Sequence, residues 1–128
     1  MGLFGNKHDK HDGHGDEEAA RTEADRLTAL PVPRLAAEIL PAFGPGGPGE
    51  DGKETGTFQV AMYLMAKFPG GNQFVKELYG PIGEGIQALE NAGLVERRVR
   101  NVGGSVVHVT RLGREALETG TADRHLAV

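Results

Sequence analysis

The sequence predicts an α+β fold: a small helical core followed by one β-hairpin, with further helices flanking both. Three observations carry this reading. Apolar residues recur at helical spacing through three successive segments, two Val- and Arg-rich runs flank the tetrapeptide Asn101-Val102-Gly103-Gly104, and glycine and proline, 20 and 7 of the 128 residues, mark the joints. A chain of this length supports one core rather than two.

Residues 1–15 carry almost no apolar side chain after Phe4 and show no period. They bury too little surface to offset the entropy of ordering and are expected to be disordered. Residues 16–30 open with acidic side chains and are weakly amphipathic, so 1–26 reads as a disordered or partly helical polar tail. Pro31 and Pro33 interrupt it, and Pro33 suits the first position of a helix whose Leu35, Ile39 and Leu40 share a face, ending near Phe43. Residues 44–56, GPGGPGEDGKETG, hold only Gly, Pro, Thr and charge, and are expected to form a flexible surface connection. Thr57 is placed to cap the next helix, with Phe58, Ala61, Leu64, Met65 and Phe68 inward, before Pro69-Gly70-Gly71 stops it.

A short helix is expected over 72–79 with Phe74, Val75 and Leu78 inward. Gly80-Pro81 then leads into a helix over 81–92 that buries Ile82, Ile86 and Leu89 and turns Gly83, Glu84, Gly85, Gln87, Glu90 and Asn91 outward. Glycine inside a helix costs about 1 kcal/mol against alanine, so Gly83 and Gly85 point to close approach by another element. Gly93 fits a left-handed C-terminal cap. Residues 94–100 and 105–110 form the hairpin, and Thr110 caps a last helix through Leu117 that Gly120 ends. The folded unit is therefore expected over 27–119, with 120–128 as a tail.

Charge is distributed unevenly. The formal net charge is −4, yet residues 94–114 carry Arg97, Arg98, Arg100, Arg111 and Arg114 against Glu96 alone, a local +4. Charges act together within a Debye length of about 10 Å, so this segment is the footprint of a surface that meets polyanions. Arg97, Arg98 and Arg100 flank a Gly-rich tip that can approach phosphates for bidentate contacts, and Arg111 can join them. The plainer alternative is a solubilising hairpin surface.

Other classes are disfavoured. No cysteine is present, which excludes disulfides, a thiol nucleophile and cysteine-ligated metal, and fits a reducing compartment. The longest apolar run, 60–66, has seven residues, against the roughly 18 that a membrane span needs. Met1-Gly2 is followed by Asn6 where acylation wants Ser or Thr, and the start is too polar for a signal peptide, so a cytoplasmic location is expected. No phosphate loop, G-x-S-x-G or H-E-x-x-H occurs, so neither an enzyme nor a cofactor is expected. His8, His11 and His14, interleaved with Asp9, Asp12 and Asp16, match no closed zinc site, and no metal site is assigned. His108 is given no role, and Met62, Tyr63 and Met65 read as core rather than as the lining of an effector pocket.

The order helix, helix, turn, helix, hairpin, helix is that of a winged helix-turn-helix domain: a three-helix core, a two-stranded β-hairpin wing and flanking helices. The run Leu89-Glu90-Asn91-Ala92-Gly93-Leu94-Val95-Glu96-Arg97, followed by Val109-Thr110-Arg111-Leu112-Gly113-Arg114-Glu115, resembles the MarR/PadR-like winged helix-turn-helix transcriptional regulators. In that family a recognition helix ends in Ala-Gly-Leu-Val, and Leu-Thr-x-x-Gly-Arg opens the helix after the wing. The resemblance covers 73–117 and implies a DNA-binding regulator, often a homodimer, with double-stranded DNA as partner. Here the recognition helix carries no Lys or Arg; base readout falls to Gln87 and Asn91, which can pair with adenine edges, while Glu84 and Glu90 repel phosphates. The helix at 33–42 and the C-terminal helix are the expected dimer surfaces. The competing reading is a winged-helix protein-interaction module whose acidic, glycine-bearing helix docks on a protein partner.

Overall fold

Two helices cross closely at the centre of the molecule, and one glycine permits it. The computed structural model describes residues 2–99 and 105–127, with side chains from Gly15 onward. In it α2 (Val32–Ile39) lies against α4 (Tyr79–Asn91). Gly85 of α4 is buried there, and a methyl group at its Cα would overlap the Ile39 side chain, with Leu35 and Ala36 next in line. Gly85 therefore points inward, not outward as expected, and the close approach it signals is made by this chain's own α2. Gly83 has open space around it.

The described residues form an α+β fold, with α1 (Gly2–Ala29), α3 (Thr57–Met65), α5 (Arg111–Thr119) and α6 (Ala122–Leu126) around this pair. An antiparallel hairpin of β1 (Val95–Val99) and β2 (Ser105–Val109) completes it. α2 carries Pro33 in its first turn, where the missing N–H has no helical acceptor to lose, and continues as a 3₁₀ turn, Leu40–Phe43. Leu35, Ala36, Ile39, Leu40, Ala42 and Phe43 are all buried within the chain, against α4, α5 and α6 among others. The apolar face at 33–42, one of the two expected dimer surfaces, is thus covered by the chain's own elements.

α1 runs from Gly2 to Ala29, through the stretch expected to be a disordered or partly helical tail. Ala20, Ala24 and Leu27 recur every turn or so and are buried against α3 and the 3₁₀ turns Gly71–Phe74 and Lys76–Leu78. Residues from Ala20 onward therefore belong to the packed unit rather than to a tail. Arg26 fastens this helix to α2. Its guanidinium donates to both Glu23 oxygens at 2.9 Å and to Glu38 Oε2 and Oε1 at 2.9 and 2.7 Å. The hydrogen bond from Arg26, set against some desolvation, holds the Glu38 carboxyl below the usual glutamate range. The two carboxylates raise the Arg26 guanidinium above its ordinary value.

Residues 44–56 are not the loose surface connection expected: Pro45, Gly46, Asp51 and Lys53 are exposed, but the segment is tied to the core. Gly47 and Gly49 are buried, the Gly49 N–H donates to Ala42 O at 2.9 Å, and Glu50–Gly52 forms a 3₁₀ turn. Thr55 is buried and bridges β2, exchanging two backbone hydrogen bonds of 2.8 Å with Val107. Small residues let this backbone come close enough to satisfy itself, which an apolarity count does not register.

In α3 the N-cap is Gly56, whose N–H donates to Gln59 Oε1 at 3.1 Å, so Thr57 is the first helical residue rather than the cap. Val60, Ala61 and Met65 face the core, whereas Phe58 is 48% exposed and meets the Tyr79 ring edge-on at 6.3 Å. Phe74, Val75 and Leu78 are buried as expected, although the chain holds them on two 3₁₀ turns. α4 begins two residues before Pro81, whose absent N–H falls among the orphaned donors of the first turn. It ends on Gly93 at φ +78°, with Gly93 N–H donating to Glu90 O and Leu94 N–H to Leu89 O, both at 2.9 Å. This double closure is a Schellman cap, which requires a left-handed residue. α6 lies where a tail is expected and buries Leu126, packing on α2. Among the described residues no helix is long and apolar enough to cross a membrane.

Candidate nucleic-acid interface

The base of the hairpin is locked to the end of α4. Thr110 Oγ1 donates to Gly93 O at 2.6 Å and accepts from Gly113 N–H at 3.0 Å, capping α5 while tying it to the α4 terminus. Gly113 sits directly on the Leu94 backbone, where a Cβ would collide with the Leu94 carbonyl. These local contacts place Arg111, exposed at the first position of α5, beside the root of the hairpin.

Alternation then sorts the strand residues onto two faces. The register pairs Val95 with Val109, Arg97 with Val107 and Val99 with Ser105 on one face, and Glu96 with His108 and Arg98 with Val106 on the other. The first face covers the core through Val95, Val107 and Val109. Arg97 lies at its margin, where Nε donates to Glu90 Oε1 at 3.2 Å and Nη1 to Ser105 Oγ at 2.9 Å. The outer face of α4 and the hairpin are contiguous at this point. Arg98 is on the opposite face, with Nη1 3.5 Å from Glu54 Oε2, one residue before the Thr55 bridge. Val99 is 83% exposed at the end of its strand, beyond the core.

Gln87 and Asn91 are both exposed on α4, and Gln87 Nε2 donates to Asn91 Oδ1 at 3.0 Å. The pair keeps Gln87 Oε1 as a free acceptor, and both N–H groups of Asn91 Nδ2 and one of Gln87 Nε2 as donors, for other partners. Glu84 is exposed, whereas Glu90 is engaged by Arg97. Of the expected contact residues, Arg97, Gln87 and Asn91 are gathered along one edge, Arg98 stands on the other hairpin face, and Arg111 lies at its root. Arg100 and the tetrapeptide 101–104 lie outside the described residues.

Glu54 is the residue that sequence reasoning missed. Its only signal is that Lys53-Glu54-Thr55 alternates like a short strand before Gly56, inside a segment otherwise made of turn residues. Met62, expected in the core, is 38% exposed. His108 Nδ1 is buried with no hydrogen-bond partner among the described residues. No three His, Asp or Glu side chains gather as a metal site among the described residues, and the side chains of His8, His11 and His14 lie outside them.

No family model, curated protein or solved structure matches this chain.

Proposed function

We propose that this is a winged helix-turn-helix protein that binds duplex DNA as a transcriptional regulator. The wing grips phosphates with Arg97, Arg98, Arg100 and Arg111 while α4 is offered to the major groove. Three features support the fold: a core of α2, α3 and α4, a hairpin directly after α4, and a capped helix returning beneath it. The observation that carries the function is that Arg98 and Arg111 stand exposed on the single basic segment of an acidic chain. A surface guanidinium exchanges one anion for another at little cost, because an exposed ion pair is worth about 0–1 kcal/mol. A phosphate array adds the free energy of counterion release.

Arg97 joins that grip from the margin of the hairpin, where Glu90 and Ser105 hold its half-exposed guanidinium. The Gln87–Asn91 pair presents an acceptor beside a donor, the complement of the adenine N6–H and N7 edge. With no cation on the exposed face of α4, phosphate contacts dominate affinity and base discrimination is modest. The homodimer reading moves to α5, where Leu112 is exposed. A cytoplasmic setting follows from the same reading.

The test is fluorescence anisotropy of a labelled mixed-sequence duplex between about 50 and 200 mM salt. Wild type binds with a steep salt dependence, and R98A/R111A lowers the log–log slope by about 0.9 per lost phosphate contact. Binding no better than background at the lowest salt overturns the proposal. A second reading, a protein-interaction module, is favoured by one observation: Phe58 and Met62, one turn apart on α3, and Tyr79 against Phe58 are exposed together. It predicts that background result.

A further inference from the structure

Both described arginines of the hairpin already hold a carboxylate, and in each pair the carboxylate is the better-sheltered partner. Side-chain exposure is 33% for Arg97 against 28% for Glu90, and 58% for Arg98 against 21% for Glu54. The acids come from two different elements, α4 and the segment that bridges β2, and reach the hairpin from its two faces. The guanidiniums thus lie outward of anions that the fold itself supplies.

Building on the DNA-binding reading, we infer that Glu54 and Glu90 are specificity-determining residues that restrict the wing to dense phosphate arrays. A tethered carboxylate acts at an effective concentration on the order of millimolar, so an incoming anion must displace it. An acidic peptide offers the arginine the same chemistry that it already has and gains little. A duplex presents one charge per roughly 1.7 Å of axis and a condensed counterion layer, and the release of those ions drives the exchange. The internal acids lower affinity for every polyanion and remove the weaker ones from the set of partners, an instance of selectivity built by competition against the wrong ligand.

The experiment compares wild type, E54Q/E90Q and the two single variants, each confirmed as folded by thermal melting. The probes are a labelled 20-base-pair duplex and labelled polyglutamate at about 100 mM salt. E54Q/E90Q is expected to bind the duplex about 3- to 30-fold more tightly, the range spanned by losing two surface ion-pair competitors. It should also bind polyglutamate, which wild type does not, and each single variant should give part of the gain. D25N, an exposed acid on α1, controls for net charge and leaves both titrations as in wild type. If wild type binds the duplex through Arg98 and Arg111 but E54Q/E90Q stays within twofold, or D25N gives the same gain, the inference is overturned while DNA binding stands. It is equally overturned if wild type binds polyglutamate as well as the double variant does. If neither wild type nor E54Q/E90Q binds the duplex, the DNA-binding reading itself falls, and this one with it.

Discussion

Arg26 and Arg98 are both surface arginines facing glutamate, yet they do different work. Arg26 makes four hydrogen bonds of 2.7 to 2.9 Å to two carboxylates, one on its own helix and one on the next. Four of the five N–H donors of the fork are taken, two by each carboxylate, so exchanging the Glu38 partner means releasing α1 from α2. Arg98 meets Glu54 through a single contact at 3.5 Å and is more exposed than Arg26. Its partner can be replaced without moving any element. The number and geometry of the contacts, rather than the residue pair, separate a fastening from a loosely held pair.

The strongest way to break this comparison is to remove the platform under the hairpin. G113A forces a methyl into the Leu94 carbonyl and is expected to cost about 2–3 kcal/mol, read as a lower chemical-denaturation midpoint. DNA binding should be lost with it, while the Arg26 fastening stays chemically intact. Next in size, R26A should destabilise the fold by about 1–2 kcal/mol through two broken bidentate pairs. R98A should leave the same midpoint where it was and act only on DNA affinity; equal losses from the two would erase the distinction.

The smallest effect sharpens the comparison through pH. The folded-state pKa of Glu38 lies below its unfolded value, so its contribution is fully present above about pH 4.3 and fades as pH falls through the folded value. E38Q should therefore be less stable than wild type near neutrality and converge with it on acidification. A constant gap between the two midpoints from pH 7 to pH 3 shows that the pair contributes no charge-dependent stability.

Legibility followed the range of each interaction. Gly93, Thr110 and Gly120 could be read as caps because the groups that they satisfy lie within a few residues of them. The hairpin strands, and the burial of Ile82, Ile86 and Leu89, were equally readable from period and turn chemistry. On α3, Ala61 and Met65 were readable too, but Phe58 was not, because it left the core for Tyr79, twenty-one positions away in the chain. α6 was missed because five residues carry too little periodicity, and only its packing on α2 and α5 shows that Leu126 is buried. Among the contact residues, the arginines and the two amides were visible as types and spacings. Their partners were not, since Arg97 finds Glu90 on another element and Arg98 finds Glu54 across a bridge to Thr55.

By itself, then, the sequence determined where most of the helices and both strands lie, where the positive charge is concentrated, and which half-dozen residues are the candidates for meeting a polyanion. Those features rest on backbone chemistry and composition, which act over a few residues. The tertiary structure alone decided that the Gly-Pro segment is tied to the core, that Gly85 admits α2, and that the described arginines of the hairpin are each answered by a carboxylate. Each of these depends on which distant groups come within a few ångströms, and only the packed chain brings them together.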